Sequence, residues 1–148
     1  MQSSHPDDPP GPRGPSGQSG PRGHRNPYAD LLGLRSGPVA DGQSLYLLTV
    51  RDELLNPNGV LHGGVMYAMA DTGMGGAVHS VLESGQVCTT IDIRIAYFRP
   101  VNAGEVSCRS KVTHRGRTIA HVESELFAGD AQLARATGTF AILSRWRG

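Results

Sequence analysis

The clearest pattern in the sequence is a strict alternation of polar and apolar residues in its second half. Residues 104–113 place Glu105, Ser107, Arg109 and Lys111 on one side and Val106, Cys108 and Val112 on the other. Because successive side chains of a strand point to opposite faces, this pattern predicts a strand with one face in solvent. After a turn at 114–117, a second such run places three polar residues on one face: His121, Glu123 and Glu125. We expect the acidic face to lie beside the basic one.

Further strands are predicted on both sides of this pair. The run QSLYLLTVR, residues 43–51, is rich in strand formers and follows a turn at 40–42, so it predicts a hairpin with residues 37–39. Residues 87–99 are rich in β-branched side chains, and residues 131–143 form a last strand. We therefore expect the last four strands to form an antiparallel meander.

One long apolar segment interrupts the strands. Residues 63–82, GGVMYAMADTGMGGAVHSVL, span about 30 Å if they are helical, and Asp71 is their single charged residue. Five glycines, one Asp and one His make a membrane span a poor interpretation. A helix that is apolar on nearly all sides must be enclosed, so the sheet should curl about it. The pattern predicts an α+β fold in which one curved antiparallel sheet wraps around a single long helix.

The first 27 residues have a different composition. Twelve of them are Pro or Gly, and glycine recurs at every third position from 11 to 23. This Gly-X-Y run is too short to offset the entropy of ordering three collagen chains, and it lacks the apolar stretch of a secretory signal. We interpret residues 1–27 as a disordered Pro/Gly-rich tail, not as a collagen-like or adhesive segment. Residues 28–148 suffice for one compact domain.

Charge and cysteine content narrow the range of partners. The formal net charge is +1, and both signs are interspersed after the tail, so neither nucleic acid nor a membrane surface is expected as a partner. Cys88 and Cys108 have the spacing of neither a disulfide scaffold nor a zinc site, which favours free thiols in a reducing cytoplasm. A small neutral or anionic ligand remains open.

Two features of the helical segment carry candidate chemistry. Burying a lone carboxylate such as Asp71 is costly unless it is paired. Asp71 either has a structural place, near an exposed seam or bonded to a nearby hydroxyl such as that of Thr72, or acts as a general base or nucleophile at an interface cleft. The pair Gly63 and Gly64 either marks only a loop-to-helix junction or presents backbone N–H groups that stabilise an oxyanion.

These two features cannot meet within one chain. Gly64 and Asp71 are separated by about 10 Å along a helix, whereas a base and oxyanion donors must converge on atoms about 3 Å away. Two antiparallel copies of the helix, related by a two-fold axis, can bring the glycine end of one against Asp71 of the other. We therefore expect a homodimer with two shared sites. No metal site is expected from His62, Asp71 and His79, because a helix spreads them over about 25 Å.

The run NPNGVLHGGVMYAMADTG, residues 56–73, resembles the signature of hotdog-fold acyl-CoA thioesterases of the phenylacetate-degradation type. The resemblance continues through TIDIRIAYFRP, residues 90–100, and GRTIA, residues 116–120, and covers roughly residues 28–143. It implies the hotdog fold, in which a curved antiparallel sheet wraps a long helix, two subunits join edge to edge, and dimers commonly pair into tetramers. It also implies hydrolysis of an aromatic or medium-chain acyl-CoA to free acid and coenzyme A, without a metal or cofactor.

The same resemblance implies roles for five residues. The backbone N–H of Gly63 would polarise the thioester carbonyl, and His62 and Asn56 of the same subunit would place the substrate. Asp71 of the other subunit would act on water as a general base or attack the carbonyl directly as a nucleophile. Thr90 matches a position where relatives carry Ser or Thr near the catalytic carboxylate.

The phosphates of coenzyme A call for guanidinium groups, and three arginines are candidates: Arg99, Arg115 and Arg117. Two other functions of the same fold remain as alternatives. A non-catalytic acyl-CoA sensor is disfavoured by the carboxylate at position 71 and by the lack of an attached helix-turn-helix segment. An enoyl-CoA hydratase is disfavoured because its usual pattern places His five residues after Asp, where this chain has Gly76.

Overall fold

A computed structural model of the protein describes residues 25–145. Six strands, two α-helices and a short 3-10 helix follow one another, with these bounds: α1 Pro27–Leu32, β1 Arg35–Ala40, β2 Gln43–Thr49, the 3-10 helix Asp52–Leu54, α2 Gly63–His79, β3 Gln86–Tyr97, β4 Glu105–Arg115, β5 Ile119–Ala128 and β6 Ala131–Ser144. Most of the predicted tail lies outside the described residues. The first described helix, α1, begins at Pro27, next to the predicted boundary between residues 27 and 28.

All six strands form one antiparallel sheet in the order β1-β2-β4-β5-β6-β3. The predicted first hairpin is confirmed, and its turn at Asp41 and Gly42 has φ values of 52° and 74°, the left-handed conformations that such a turn needs. β4 and β5 place Arg109 beside Glu125 and Lys111 beside Glu123, so the expected pairing of basic and acidic faces is also confirmed.

The predicted four-strand meander is wrong in one respect. β4, β5 and β6 are consecutive neighbours, but β3 pairs with β6 at the far edge and not with β4. Residues 98–104 carry the chain back from that edge, held by hydrogen bonds from Phe98 N–H to the Leu133 carbonyl and from Val50 N–H to the Gly104 carbonyl. Alternation along a strand indicates which residues share a face, but it does not indicate which strand lies beside it. The pattern therefore could not predict that β3 pairs with β6.

Helix α2 packs against all six strands. Met69 and Met74 are completely buried, as expected for a helix that is apolar nearly all round. The helix ends three residues before the predicted residue 82, because Ser80 is its C-cap and donates a hydrogen bond from its hydroxyl to the Ala77 carbonyl at 2.7 Å. Within residues 25–145, no helix is long and apolar enough to span a membrane.

The helix lies very close to the sheet. A Cβ atom added at Gly73 would lie 2.6 Å from the Ser110 hydroxyl oxygen. The buried Ser44 hydroxyl donates to the Gly73 carbonyl at 2.6 Å. This close contact fixes the height and rotation of α2 over the strands, and therefore fixes where the polar groups of the helix emerge.

Candidate active site

The start of α2 presents one unoccupied backbone amide. His62 is the N-cap residue, and its Nδ1 accepts a hydrogen bond from Gly64 N–H at 2.8 Å. A neutral His62 ring therefore carries its proton on Nε2. Within residues 25–145 the Gly63 N–H has no acceptor. Because the cap already uses the Gly64 amide, Gly63 supplies the amide that is free to bind a ligand at this helix start.

Asn56 shapes the loop that leads into the helix. Its Oδ1 accepts hydrogen bonds from the N–H groups of Asn58 at 2.9 Å and Val60 at 3.3 Å. Its own N–H donates to the Val60 carbonyl at 2.8 Å. The carboxamide oxygen therefore holds the loop, and only the NH2 group of the side chain is left for a substrate.

Asp71 and Thr90 meet at the edge of the sheet. The Thr90 hydroxyl donates to Asp71 Oδ1 at 2.7 Å. The carboxylate thus bonds a hydroxyl, though one from β3 and not the neighbouring Thr72. Asp71 is half-buried, and within the described part of the chain its Oδ2 has neither a hydrogen bond nor a cationic partner. One oxygen is oriented and the other is available for chemistry.

A cavity of about 570 Å³ opens beside this carboxylate. It follows one face of α2 past Asp71, Gly75 and His79, which lie one turn apart, so it extends for about 12 Å along the helix. Other walls come from α1, β1, β2, β3 and β6. Neither Gly63 nor His62 lines it. A single chain therefore provides the carboxylate and the cavity at one place and the free amide at another.

Both cysteines are free, and neither is suited to act as a nucleophile. Burial and the nearby negative charge of Asp71 raise the pKa of the Cys88 thiol, which lines the cavity. Burial raises the pKa of Cys108 to about 11. Both thiols therefore stay protonated near neutral pH, whereas a nucleophilic cysteine must be a thiolate.

Within one chain, Arg99 lies far from the other two candidate arginines, Arg115 and Arg117. Arg99 follows β3 and donates from Nη1 to the Gln132 carbonyl at 2.9 Å. Arg115 donates to the side chain of Gln86, the first residue of β3, at 2.9 Å. Arg117 is exposed in the turn between β4 and β5. The whole length of β3 thus separates Arg99 from Arg115, and the fold does not bring the three together within a subunit.

Sequence reasoning missed one residue at the helix start. The Tyr97 hydroxyl donates to the Gly63 carbonyl at 2.7 Å. Burial, and after it the neighbouring Tyr67, raise the pKa of the Tyr97 phenol, so the hydroxyl keeps its proton as a donor. Tyr97 lies inside the run 90–100 that carries the resemblance. The alternation of that run assigns Tyr97 to a strand face, but only the topology shows that this face meets the start of α2.

The residues considered for a metal site do not form one. His62 caps the helix, Asp71 bonds Thr90, and His79 lies two turns beyond Asp71. Among residues 25–145, no three His, Cys, Asp or Glu side chains are grouped closely enough to hold a metal ion.

Comparison with known proteins identifies the family of the chain. A family model for the thioesterase superfamily matches residues 58–134, which include His62, Gly63, Asp71 and Thr90. The chain is similar to the solved structure of the conserved protein PA5202 from Pseudomonas aeruginosa, with 36% identity, a TM-score of 0.78, and coverage of 80% of this chain and 94% of that one.

Two further solved structures carry functional names. Thioesterase HI1161 from Haemophilus influenzae is 25% identical with a TM-score of 0.77, over 81% of this chain and 85% of that one. A mutant of the phenylacetic acid degradation protein PaaI from Thermus thermophilus is 29% identical with a TM-score of 0.75, over 80% of this chain and 100% of that one.

These matches confirm the predicted fold class and enzyme class: the molecule has the hotdog fold and is a thioester hydrolase. The chain belongs to the thioesterase superfamily. The family model spans the start of α2, the carboxylate at its middle and the strand that bonds it, so His62, Gly63, Asp71 and Thr90 lie within the matched region, whereas Asn56 lies two residues before it.

Proposed function

We propose that this protein hydrolyses the thioester bond of aromatic or medium-chain acyl-CoA, releasing the carboxylic acid and coenzyme A. The observation that carries the proposal is the division of the site into two halves. The carboxylate with its cavity and the free Gly63 amide at the helix start lie well apart on one helix, about 12 Å along its axis. A second copy of the chain is needed to bring them together.

Both halves are attached to the same strand. Asp71 is bonded to Thr90 and Gly63 to Tyr97, and both partners belong to β3. β3 is an edge strand of 12 residues. Two apolar side chains are exposed along it: Ile91 within the strand, at 54%, and Phe98 directly after it, at 52%. Edges of this kind pair readily with another strand. A homodimer formed by antiparallel pairing of two β3 strands supplies that partner.

The alternation along β3 supports one register for this dimer. Opposed residues of an antiparallel pair point to the same face of the sheet. Ile91 forms a β-bulge, because it is an extra residue between the pairs Thr90–Phe140 and Asp92–Thr139. Thr90 and Tyr97 therefore point to the same face, although they are an odd number of residues apart. Thr90 can therefore lie opposite the partner subunit's Tyr97. In this register Arg94 lies opposite its own copy at the two-fold axis. The Asp71 carboxylate of each subunit then faces the start of α2 in the partner subunit.

In this arrangement the two subunits divide the chemistry. The Gly63 N–H of one subunit binds the thioester oxygen and stabilises the negative charge that develops there. Asp71 of the other, oriented by Thr90, takes a proton from the water that attacks the carbonyl carbon. Alternatively its carboxylate attacks first, and water hydrolyses the resulting anhydride. In both routes the carbon–sulfur bond breaks and the sulfur leaves as coenzyme A, which takes up a proton.

The cavity supports the choice of acyl group. Its size, about 570 Å³, is within the usual range for small-ligand pockets. Leu34, Gly75, Gly76 and Phe140 contribute apolar walls. These walls favour an aromatic ring or a medium-length chain over a polar acyl group.

The dimer also gives the arginines a common location. Antiparallel pairing places the end of one β3 next to the start of the other. Arg99 of one subunit then approaches Arg115 and Arg117 of the other, which the fold separates within one chain. We propose this junction as the place where the phosphates of coenzyme A bind.

Two finer expectations accompany the proposal. As the family resemblance implies, dimers are proposed to pair into a tetramer, and the mass of the full chain in solution distinguishes a tetramer from a dimer. A cytoplasmic location is proposed because two free cysteines without a disulfide favour a reducing compartment, and cell fractionation tests it.

The direct test measures free thiol released from a panel of aromatic and aliphatic acyl-CoAs. The wild type is expected to turn over at least one class, and Asp71→Asn to lose about a hundredfold or more of kcat while still binding substrate. Asp130→Asn, in an exposed turn, is the matched control and should behave as wild type. Binding without turnover by the wild type on every substrate would instead identify an acyl-CoA sensor.

The shared site has its own test. Asp71→Asn and Gly63→Val subunits are each expected to be inactive as homodimers. A mixed dimer of the two contains one intact site, formed by Gly63 of the first subunit and Asp71 of the second, so co-expression should restore activity. If both halves of a site came from one chain, every site in the mixed dimer would be defective and no activity would return.

A further inference from the structure

The peptide group between Gly63 and Gly64 is held at both ends. Its carbonyl accepts a hydrogen bond from the Tyr97 hydroxyl at 2.7 Å, and its N–H donates to His62 Nδ1 at 2.8 Å. One bond comes from a strand at the sheet edge and the other from the cap of the helix. The free amide, Gly63 N–H, is on the other side of the Gly63 Cα atom.

A helix that begins with two glycines needs such support. Glycine has more accessible backbone conformations than any other residue, so a Gly-Gly start is poorly fixed by its own torsions. The direction of an N–H group in the first turn depends on those torsions. An oxyanion donor is effective only if it is already aimed at the developing charge. External contacts must therefore fix the peptide that follows Gly63.

Tyr97 is well placed to provide one of these contacts. Its backbone is paired with Ala134 of β6, so the ring projects from the ladder of the sheet. A Cβ atom at position 63 would lie 3.2 Å from Tyr97 Cζ and from its hydroxyl oxygen, which shows how closely the ring lies against the glycine. The sheet edge and the helix start are thus connected through a single side chain.

We propose that Tyr97 is a positioning residue of the thioesterase site: by donating to the Gly63 carbonyl it holds the Gly63–Gly64 peptide so that the Gly63 N–H points at the thioester oxygen. Tyr97 acts through the backbone and does not touch the substrate. This inference rests on the proposed function for its catalytic meaning, whereas the hydrogen bond itself can be tested independently of activity.

A positioning role predicts a particular kinetic signature. Alignment of the amide matters most when charge develops on the oxygen, so its loss weakens transition-state binding more than substrate binding. Tyr97→Phe removes only the hydroxyl and keeps the ring. We expect kcat to fall about five- to tenfold, the equivalent of one hydrogen bond, with KM changed by less than about twofold.

The matched control is Tyr67→Phe. Tyr67 lies on α2 near Tyr97, and within residues 25–145 its hydroxyl makes no hydrogen bond. Both kinetic constants of this variant should stay within about twofold of wild type. Equal losses in the two variants, or a loss in Tyr97→Phe that accompanies dissociation of the assembly in a mass measurement, would overturn the proposal.

A spectroscopic measurement tests the hydrogen bond without substrate. The amide nitrogen of Gly64 belongs to the peptide whose carbonyl Tyr97 binds, so its ¹⁵N resonance should move in Tyr97→Phe and stay in place in Tyr67→Phe. A fall in kcat without that movement, or the movement without a fall in kcat, contradicts a positioning role. If the wild type releases no thiol from any acyl-CoA, the proposed function fails, and the resonance alone decides whether Tyr97 holds the peptide.

Discussion

At the scale of single residues, the two glycines at the start of α2 have different tasks. His62 uses its Nδ1 to cap the helix through Gly64, which leaves Gly63 with the unoccupied amide. An ordinary capping contact thus leaves Gly63 as the candidate donor. The resemblance predicted this role for Gly63 from its motif, and the cap gives a physical reason for the prediction, which a Gly-Gly pair in the sequence does not reveal.

The hydroxyl of Thr90 gives a prediction at this scale. Thr90→Val keeps the shape of the side chain and removes the 2.7 Å hydrogen bond to Asp71 Oδ1. The carboxylate loses its orientation, so we expect kcat to fall about tenfold with little change in KM. Thiol-release kinetics measure this. Thr137→Val, exposed on β6, is the control, and an equal fall in both variants would contradict the role of Thr90.

A second prediction at this scale concerns pH and Cys108. Burial raises the pKa of this thiol from 9.0 to about 11 in the folded protein. Below pH 9 both folded and unfolded states hold the proton, and between pH 9 and 11 only the folded state does. The unfolded state then binds fewer protons, so stability falls as pH rises, by about 3 kcal/mol over this window.

Urea unfolding of wild type and Cys108→Ser at several pH values measures this effect. Serine retains a donor for the Met69 carbonyl, which Cys108 contacts at 3.6 Å. The difference in the free energy of unfolding between the two proteins should change steadily above pH 9. A difference that stays constant from pH 8 to 10.5 would show that the thiol does not titrate abnormally.

At the scale of elements, the hydrophobic pattern predicted whether each segment is a helix or a strand and which face is buried. It did not predict which strands are neighbours in the sheet. Six strands and one long helix were predicted because alternation and apolar runs are local properties. The place of β3 depends on contacts with β6, about 40 residues later, so no local pattern contains it. The early end of α2 was missed for a similar reason, since the Ser80 cap is decided by one hydroxyl and not by hydropathy.

The glycines of α2 allow a prediction at this scale. A Cβ atom at Gly75 would meet only Phe140, at 3.8 Å, whereas one at Gly73 would lie 2.6 Å from the Ser110 hydroxyl. Gly75→Ala should therefore stabilise the helix by about 1 kcal/mol. Gly73→Ala should destabilise the protein by about 1 to 3 kcal/mol, because the helix must move from the sheet.

Denaturation of the two alanine variants measures these opposite signs. Gly75 also lines the cavity, so its added methyl group should lower kcat/KM for larger acyl groups more than for short ones. Stabilisation of both variants would mean that α2 is packed less closely than described. If Gly75→Ala leaves the preference among acyl groups unchanged, the cavity does not bind the acyl group.

At the scale of the whole molecule, the two edges of the sheet differ. β1 has only six residues and contains Pro38, and both features discourage pairing with another strand. β3 has 12 residues and no proline. The distance between Gly64 and Asp71 in the sequence was enough to predict a second subunit. The edge that we propose joins the subunits could not be predicted in this way, because it depends on where β3 lies in the sheet.

The proposed register predicts a cross-link at one position. Thr90 opposite the partner subunit's Tyr97 places Arg94 opposite its own copy, and opposed residues of an antiparallel pair have Cα atoms about 4.5 to 5.5 Å apart. That separation suits a disulfide. Arg94→Cys should therefore form covalent dimers under mild oxidation, detected on a non-reducing gel.

Controls make this cross-link specific to the register. Arg109→Cys is also exposed but lies on β4, which β5 and β6 separate from the β3 edge, and should remain uncross-linked, as should the wild type with its buried and half-buried thiols. Cross-linking by Asp92→Cys or Ala96→Cys in place of Arg94→Cys would mean a register shifted along β3. Moving the two-fold axis by two residues shifts the pairing of the two strands by four residues, so each carboxylate moves roughly 14 Å along the interface, away from the partner's helix start. The amide and the carboxylate would then be too far apart to act on one carbonyl group, and the division of the site between subunits would fail with the register.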